Sequence, residues 1–165
     1  MKNTSASEPI RILLQRIDES YDQRAWHGTN LRGSIRGITC EEAAWRPAAG
    51  RHNIWEISVH CAYWKYIVRR RILGEKRGSF PLKGSNWFKR PIAATEKAWR
   101  ADVALLEETH QSLRGAIAGL TSSSLGKNPS GSKWTNLQIV SGIALHDVYH
   151  AGQIQLLKRL QKENL

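Results

Sequence analysis

Long apolar runs are missing from this chain: nothing approaches the ~18 consecutive apolar residues that a membrane-crossing helix needs. The opening stretch, Met1 to Glu8, is polar and has no apolar centre of the signal-peptide kind. A cytoplasmic location and no membrane partner are therefore expected. Cysteine is scarce, and its two copies, Cys40 and Cys61, are spaced neither as a zinc knuckle nor as a redox pair. That excludes a disulfide-held scaffold and leaves two buried free thiols as the expectation. Alternating β-branched runs and Asn-Gly turns are lacking too, so there is little to build a sheet from. Acidic residues are few, 14 against 25 Lys and Arg, which leaves a formal charge of +11. Such a surface favours polyanions or acidic metabolites. Its basic residues are nevertheless spread from Arg11 to Lys162, and the one tight run, Val68 to Arg71, reads as a solvated helix face.

What the chain does have is helical periodicity. At 165 residues it suits one domain, residues 1–165, rather than two. The first helix opens with Ser7 as N-cap and Pro9 in its first turn, and carries Ile10, Leu13, Leu14, Ile17 and Tyr21 on one face. Its pattern breaks at Trp26-His27-Gly28. Asn30 to Ile38 reads as a short helix interrupted by glycines, and Thr39 to Glu42 as a further cap closed by Trp45-Arg46-Pro47. A second long helix runs from about Asn53 to Leu73 and stops at Gly74, with Ile54, Ile57, Cys61, Trp64 and Val68 inward. Glu75 to Pro91 is a glycine- and lysine-rich connection. The third helix spans roughly Ala93 to Leu120, with Trp99, Val103, Leu106, His110, Leu113 and Ile117 inward. After a Ser/Gly/Pro loop the fourth helix starts near Thr135. The fold expected is all-α, a four-helix bundle with a short extra helix between the first two long ones.

The inward stripe of the last helix reads Ile139, Ile143, His146, His150, Ile154, Leu157, Leu160. Imidazoles at two successive core-facing positions are costly unless something satisfies them. A divalent ion does so, because histidines four apart on a helix point the same way. His60 lies at the edge of the apolar face of the second long helix and supplies a third ligand. The bundle core is where facing helices build such sites. His110 reads as a core residue or one that supports the ligands from the third helix, His27 as a cap or pocket-mouth residue, and His52 as a loop residue. Asp147 gives His146-Asp147-Val148-Tyr149-His150 a superficial likeness to the His-Glu-x-x-His proteases. The acid is one methylene short, however, and Ala151-Gly152-Gln153 does not continue the motif, so a protease is not expected.

Several blocks resemble the DinB-like (YfiT-like) family. They are Ala25-Trp26-His27-Gly28, Glu42-Ala43-Ala44-Trp45-Arg46-Pro47, Asn53-Ile54-Trp55-Glu56-Ile57 leading to His60, Trp64-Lys65 before Gly74-Glu75, Trp99, and Gly142 to Ile154. The resemblance implies a four-helix bundle binding a divalent metal through His60, His146 and His150. Zinc or nickel is the foremost expectation, with iron or manganese next, and imidazole also suits copper. It further implies a homodimer and a small-molecule substrate, since some relatives are transferases or isomerases that use a low-molecular-weight thiol. The reading that follows is a metal-dependent enzyme of thiol-dependent transferase or hydrolase type, its catalytic base unassigned. Glu56, one turn before His60, is a candidate to orient that ring, and Gln153 a candidate to fix another. Asp147 should reach a different helix, Tyr149 could meet a ligand or take a core or interface role, and Gly152 should permit close helix approach. The contrasting reading is a non-enzymatic basic module with a structural metal that contacts nucleic acid, although no helix-turn-helix or aromatic sheet motif supports it. A vestigial, empty site is the third.

Overall fold

The computed structural model describes residues 7–163, and the polar opening stretch up to Ala6 lies outside the described residues. Among the described residues six α-helices follow one another: α1 (Glu8–Tyr21), α2 (Leu31–Ser34), α3 (Cys40–Ala44), α4 (Ile54–Leu73), α5 (Glu96–Ala118) and α6 (Asn136–Glu163). A single 3-10 turn, Ser122–Ser124, lies in the loop before α6, and no strand occurs among the described residues.

The helix boundaries follow local chemistry. Pro9 sits in the first turn of α1. Asn53 Oδ1 accepts the Glu56 N–H at 2.8 Å to open α4, and Gly74 closes that helix in the left-handed region at φ 68°. Thr95 accepts the Ala98 N–H, so α5 begins at Glu96 rather than at Ala93. Two short helices, not one, separate α1 from α4, because each has its own cap. Asn30 accepts from Gly33 N–H at 2.8 Å, and Thr39 and Glu42 form a reciprocal capping box.

The long helices pack as α1 on α5 and α6, and α4 on α5 and α6. Asp18 pairs with Arg114 while Tyr21 bonds Glu107, so α1 and α5 are antiparallel. His60 faces His150 while Lys65 meets Asp147, so α4 and α6 are antiparallel as well. Near their starts α4 and α5 join through Trp55 and Asp102, and further along Lys65 of α4 and His110 of α5 meet at the Tyr21 ring. These two therefore run parallel. Parallel neighbours need a connection that travels back along the bundle, and at 1.5 Å per residue α4 is about 30 Å long. The segment between Gly74 and Thr95 makes that journey, and it passes the histidines on the way.

Apolar side chains fill the two ends of the bundle. One cluster gathers Tyr21, Trp55, Trp99, Leu106 and Ile154, the other Ile10, Ile17, Leu113, Ile117 and Val140. Between them lies a polar layer holding Lys65, Asp147 and His110, all essentially inaccessible, together with His60, His146 and His150. Cys40 and Cys61 are buried free thiols. The run at the end of α4 is not a solvated face. Arg70 is buried and donates to the Glu75 carbonyl at 2.9 Å, while Arg69 pairs with the Glu75 carboxylate.

Candidate metal centre

α4 and α6 bring His60, His146 and His150 together at mid-bundle. His146 Nε2 stands 3.1 Å from His60 Nε2 and 3.1 Å from His150 Nε2. The antiparallel packing of the two helices is fixed one turn away, where the fully buried Lys65 ammonium meets the fully buried Asp147 carboxylate. Asp147 thus reaches the facing helix, as its position on α6 demands, and is committed there.

Proton accounting shows what the cluster lacks. His60 Nδ1 lies 2.9 Å from the Asn86 carbonyl oxygen, which can only accept, so the ring carries its proton on Nδ1. His150 Nδ1 donates in the same way to Gln153 Oε1 at 2.6 Å, and the Gln153 amide nitrogen donates to Tyr149 Oη at 3.0 Å. Both rings therefore present bare Nε2 lone pairs to His146 Nε2. His146 Nδ1 is buried with no hydrogen-bond partner. Three nitrogens thus converge with at most one proton among them, and a cation is the group that satisfies all three. Burial is the main force keeping these rings neutral. It pushes His60 below its ordinary value, His146 down to about 3 with help from His150 and His60, and His150 down to about 4 with help from His60. Neutral imidazole is the ligating form.

The spacing fits as well. Two nitrogens each ~2.1 Å from one ion stand about 3.0 Å apart at a right angle and about 3.4 Å apart at the tetrahedral angle. The 3.1 Å separations fall in that interval, so the three side chains could hold one divalent ion. Cys61 and Asp147 also come within 4.8 Å of a His146 nitrogen. They make a poorer ligand set, because the carboxylate is taken by Lys65 and burial pushes the Cys61 thiol well above its ordinary pKa.

The returning connection supplies support that helical periodicity could not reveal. Asn86 adopts φ 63°, the only non-glycine residue at positive φ among those described, and places its carbonyl on His60. Its side-chain oxygen accepts from the Trp64 indole at 2.9 Å. Trp87 lies flat between two imidazoles, 3.9 Å from the His60 ring and 3.6 Å from the His52 ring. Asn and Trp are common in loops, and no spacing rule marks these two.

Other expectations need correction. Glu56 does not bond His60. Its carboxylate takes two Arg46 nitrogens at 2.5 and 2.9 Å, His52 Nδ1 at 2.9 Å and the Arg90 N–H. It acts on His60 only at a distance, by holding His52 against Trp87. This gives Trp45-Arg46-Pro47 its role, since Arg46 clamps the start of α4 and also donates to the Arg90 carbonyl. Gly152 is exposed, and a Cβ added there would meet nothing within 4 Å, so no helix of the same chain approaches it closely. Tyr149 is exposed and fills no core. His110 is buried, as expected, and stacks on Tyr21 at 3.6 Å away from the triad. His27 is exposed and makes no ring contact with the cluster.

A groove of about 740 Å³ leads to His146 between α4 and α6, with Trp64, Leu137, Ile143 and Leu145 among its walls. A family model described as the DinB superfamily matches residues 23–154, a span that contains all three histidines. No curated protein and no solved structure matches the chain.

Proposed function

The chain belongs to the DinB superfamily, and from that premise we propose that it is a divalent-metal-dependent enzyme whose ion is held by His60, His146 and His150. The observation that carries this reading is the convergence of three Nε2 atoms sharing at most one proton. Three neutral ligands would leave a divalent ion its full charge, so the chemistry it would supply is Lewis-acid activation of a water or of a substrate thiol. The chain's own contribution is orientation and exclusion. Asn86 and Gln153 fix the His60 and His150 tautomers, Trp87 covers the His60 face, and the Trp64–Leu145 groove admits a substrate with an apolar part next to His146. Zinc or nickel suits an all-imidazole set. A thiol carrying carboxylates is the cosubstrate that a surface of charge +11 favours, and transfer of that thiol to an electrophile is the reaction class.

An open groove at a ligand argues for chemistry over a purely structural ion, since structural sites are closed. The exposed α6 side chains Leu145, Tyr149 and Leu156 are the proposed homodimer face, to be checked by light scattering. The deciding experiment measures metal content of the purified protein, then titrates zinc into chelator-treated protein by calorimetry. One ion per chain is expected for the wild type and none for His146→Ala. Equal metal in both, or none in either, overturns the assignment.

A further inference from the structure

Away from the triad, a cavity of about 610 Å³ opens between the second half of α4 and the returning connection. Four cations line it: Arg70 and Arg71 from α4, and Arg77 and Lys83 from the connection. No acidic side chain does. The wall also carries aromatic rings, with Tyr63, Tyr66 and Phe80 packed edge to face or tilted on one another at 5.3 to 6.2 Å.

The charge in this cavity is unanswered in a way that sets it apart. Six arginines among the described residues are buried or half-buried: Arg32, Arg69, Arg70, Arg71, Arg90 and Arg114. Four of them have a carboxylate oxygen within 4 Å. Arg70 and Arg71 have none among the described residues. Arg70, only 9% exposed, has its one side-chain hydrogen bond to the Glu75 backbone carbonyl, and the Nε atoms of both arginines are buried without a partner. Guanidinium groups withdrawn from water and gathered with like charges are unfavourable until an anion arrives. A folded chain that keeps such a cluster beside three aromatic rings has the recognition elements for an anion with a flat or apolar body.

We propose that this cavity is a binding site for a small organic anion, a carboxylate or phosphate monoester with an aromatic or apolar portion, separate from the three-histidine centre. Arg70 and Arg71 set the charge at the floor, Arg77 and Lys83 close on the anion from the connection, and Tyr63 and Phe80 take the apolar body. None of the three histidines lines the cavity, so binding does not require an ion there. The two sites do share a wall: Asn86, whose carbonyl accepts from His60, and Trp64, which donates to Asn86, both border the cavity, and Trp64 and Arg71 also line the groove at His146.

The test uses phenyl phosphate and inorganic phosphate as probes, titrated calorimetrically into the full chain, once metal-loaded and once after chelation. Saturable 1:1 binding of phenyl phosphate is expected in both preparations, with inorganic phosphate weaker because it leaves the rings uncovered. Arg71→Gln and Lys83→Gln should each weaken it about tenfold, the scale of one lost charge-assisted contact. Arg100→Gln, an exposed cation on α5 outside the cavity, should leave it unchanged. Binding that disappears with the metal, that falls equally in Arg100→Gln, or that is undetectable overturns the proposal. So does a salt-sensitive association with single-stranded oligonucleotide in the absence of phenyl phosphate binding, which would make the cluster a polyanion surface. Failure of zinc binding with phenyl phosphate binding intact would sink the metal reading alone.

Discussion

Replacing Lys65 with Met and Asp147 with Leu, singly and together, separates what the buried ion pair contributes from what its absence would cost. Both side chains are fully inaccessible, and Asp147 Oδ1 has no hydrogen-bond partner even in the wild type. The Lys65 ammonium also lies 5.0 Å from the centre of the Tyr21 ring. Burial raises the Asp147 pKa, opposed by Lys65. Removing either partner leaves the other charge buried and unanswered, a cost of about 3–5 kcal/mol. For a chain of 165 residues, at about 2–4 °C per kcal/mol, that is a fall in Tm of roughly 6–20 °C. The double variant Lys65→Met/Asp147→Leu removes both desolvation penalties and keeps the volume, so it should lie within about 1 kcal/mol of wild type or above it. Urea denaturation followed by circular dichroism, on chelated protein to remove metal linkage, gives the four stabilities. A coupling of about 3 kcal/mol or more is expected. A double variant as unstable as the sum of the singles would refute the reasoning, because the two charges would then not be each other's partners.

Asn86→Gly should leave zinc affinity close to wild type, since the carbonyl stays on His60, whereas Asn86→Val forces a β-branched residue to positive φ at about 1–2 kcal/mol and should weaken zinc about tenfold by calorimetry. His110 is held neutral chiefly by burial, then by Lys65 and Arg114, with its pKa pushed down to about 2. The unfolded chain takes up a proton there below ~6.5, so stability should fall by up to about 1.4 kcal/mol per pH unit on acidification from that point. His110→Phe, which keeps the stack on Tyr21, should flatten that slope in chelated protein. Burial opposes ionisation of Glu56, but Arg46, His52 and the Arg90 N–H together lower its pKa to about 2. Its contribution is present above an unfolded value near 4.5 and lost as pH falls toward 2. Glu56→Gln should therefore cost up to about 3 kcal/mol at pH 7 and almost nothing at pH 2 by chemical denaturation.

The helices and the triad are written in local sequence. Signals such as Pro9, the Thr39 cap and Gly74 and the three-four spacing of apolar positions act within a turn or two, so they are readable without knowing the rest of the chain. The same periodicity exposes His146 and His150 as misplaced polar groups on an inward stripe, and His60 as their counterpart. Glu56 escapes that reading because proximity along a helix says nothing about a competing partner, and Arg46 reaches it from another element. The parallel course of α4 and α5 is a tertiary choice, seen in Trp55 on Asp102 and in Lys65 and His110 meeting at Tyr21. That choice sends the connection from Gly74 to Thr95 back past the histidines, sets Asn86 and Trp87 on His60, and closes a cationic cavity over Arg70 and Arg71. A loop carries no period, and its contacts are fixed by the path that the packed helices leave it. Hence the three histidines lie in the local code, while the groups that orient them and the cavity beside them arise from the way the bundle is closed.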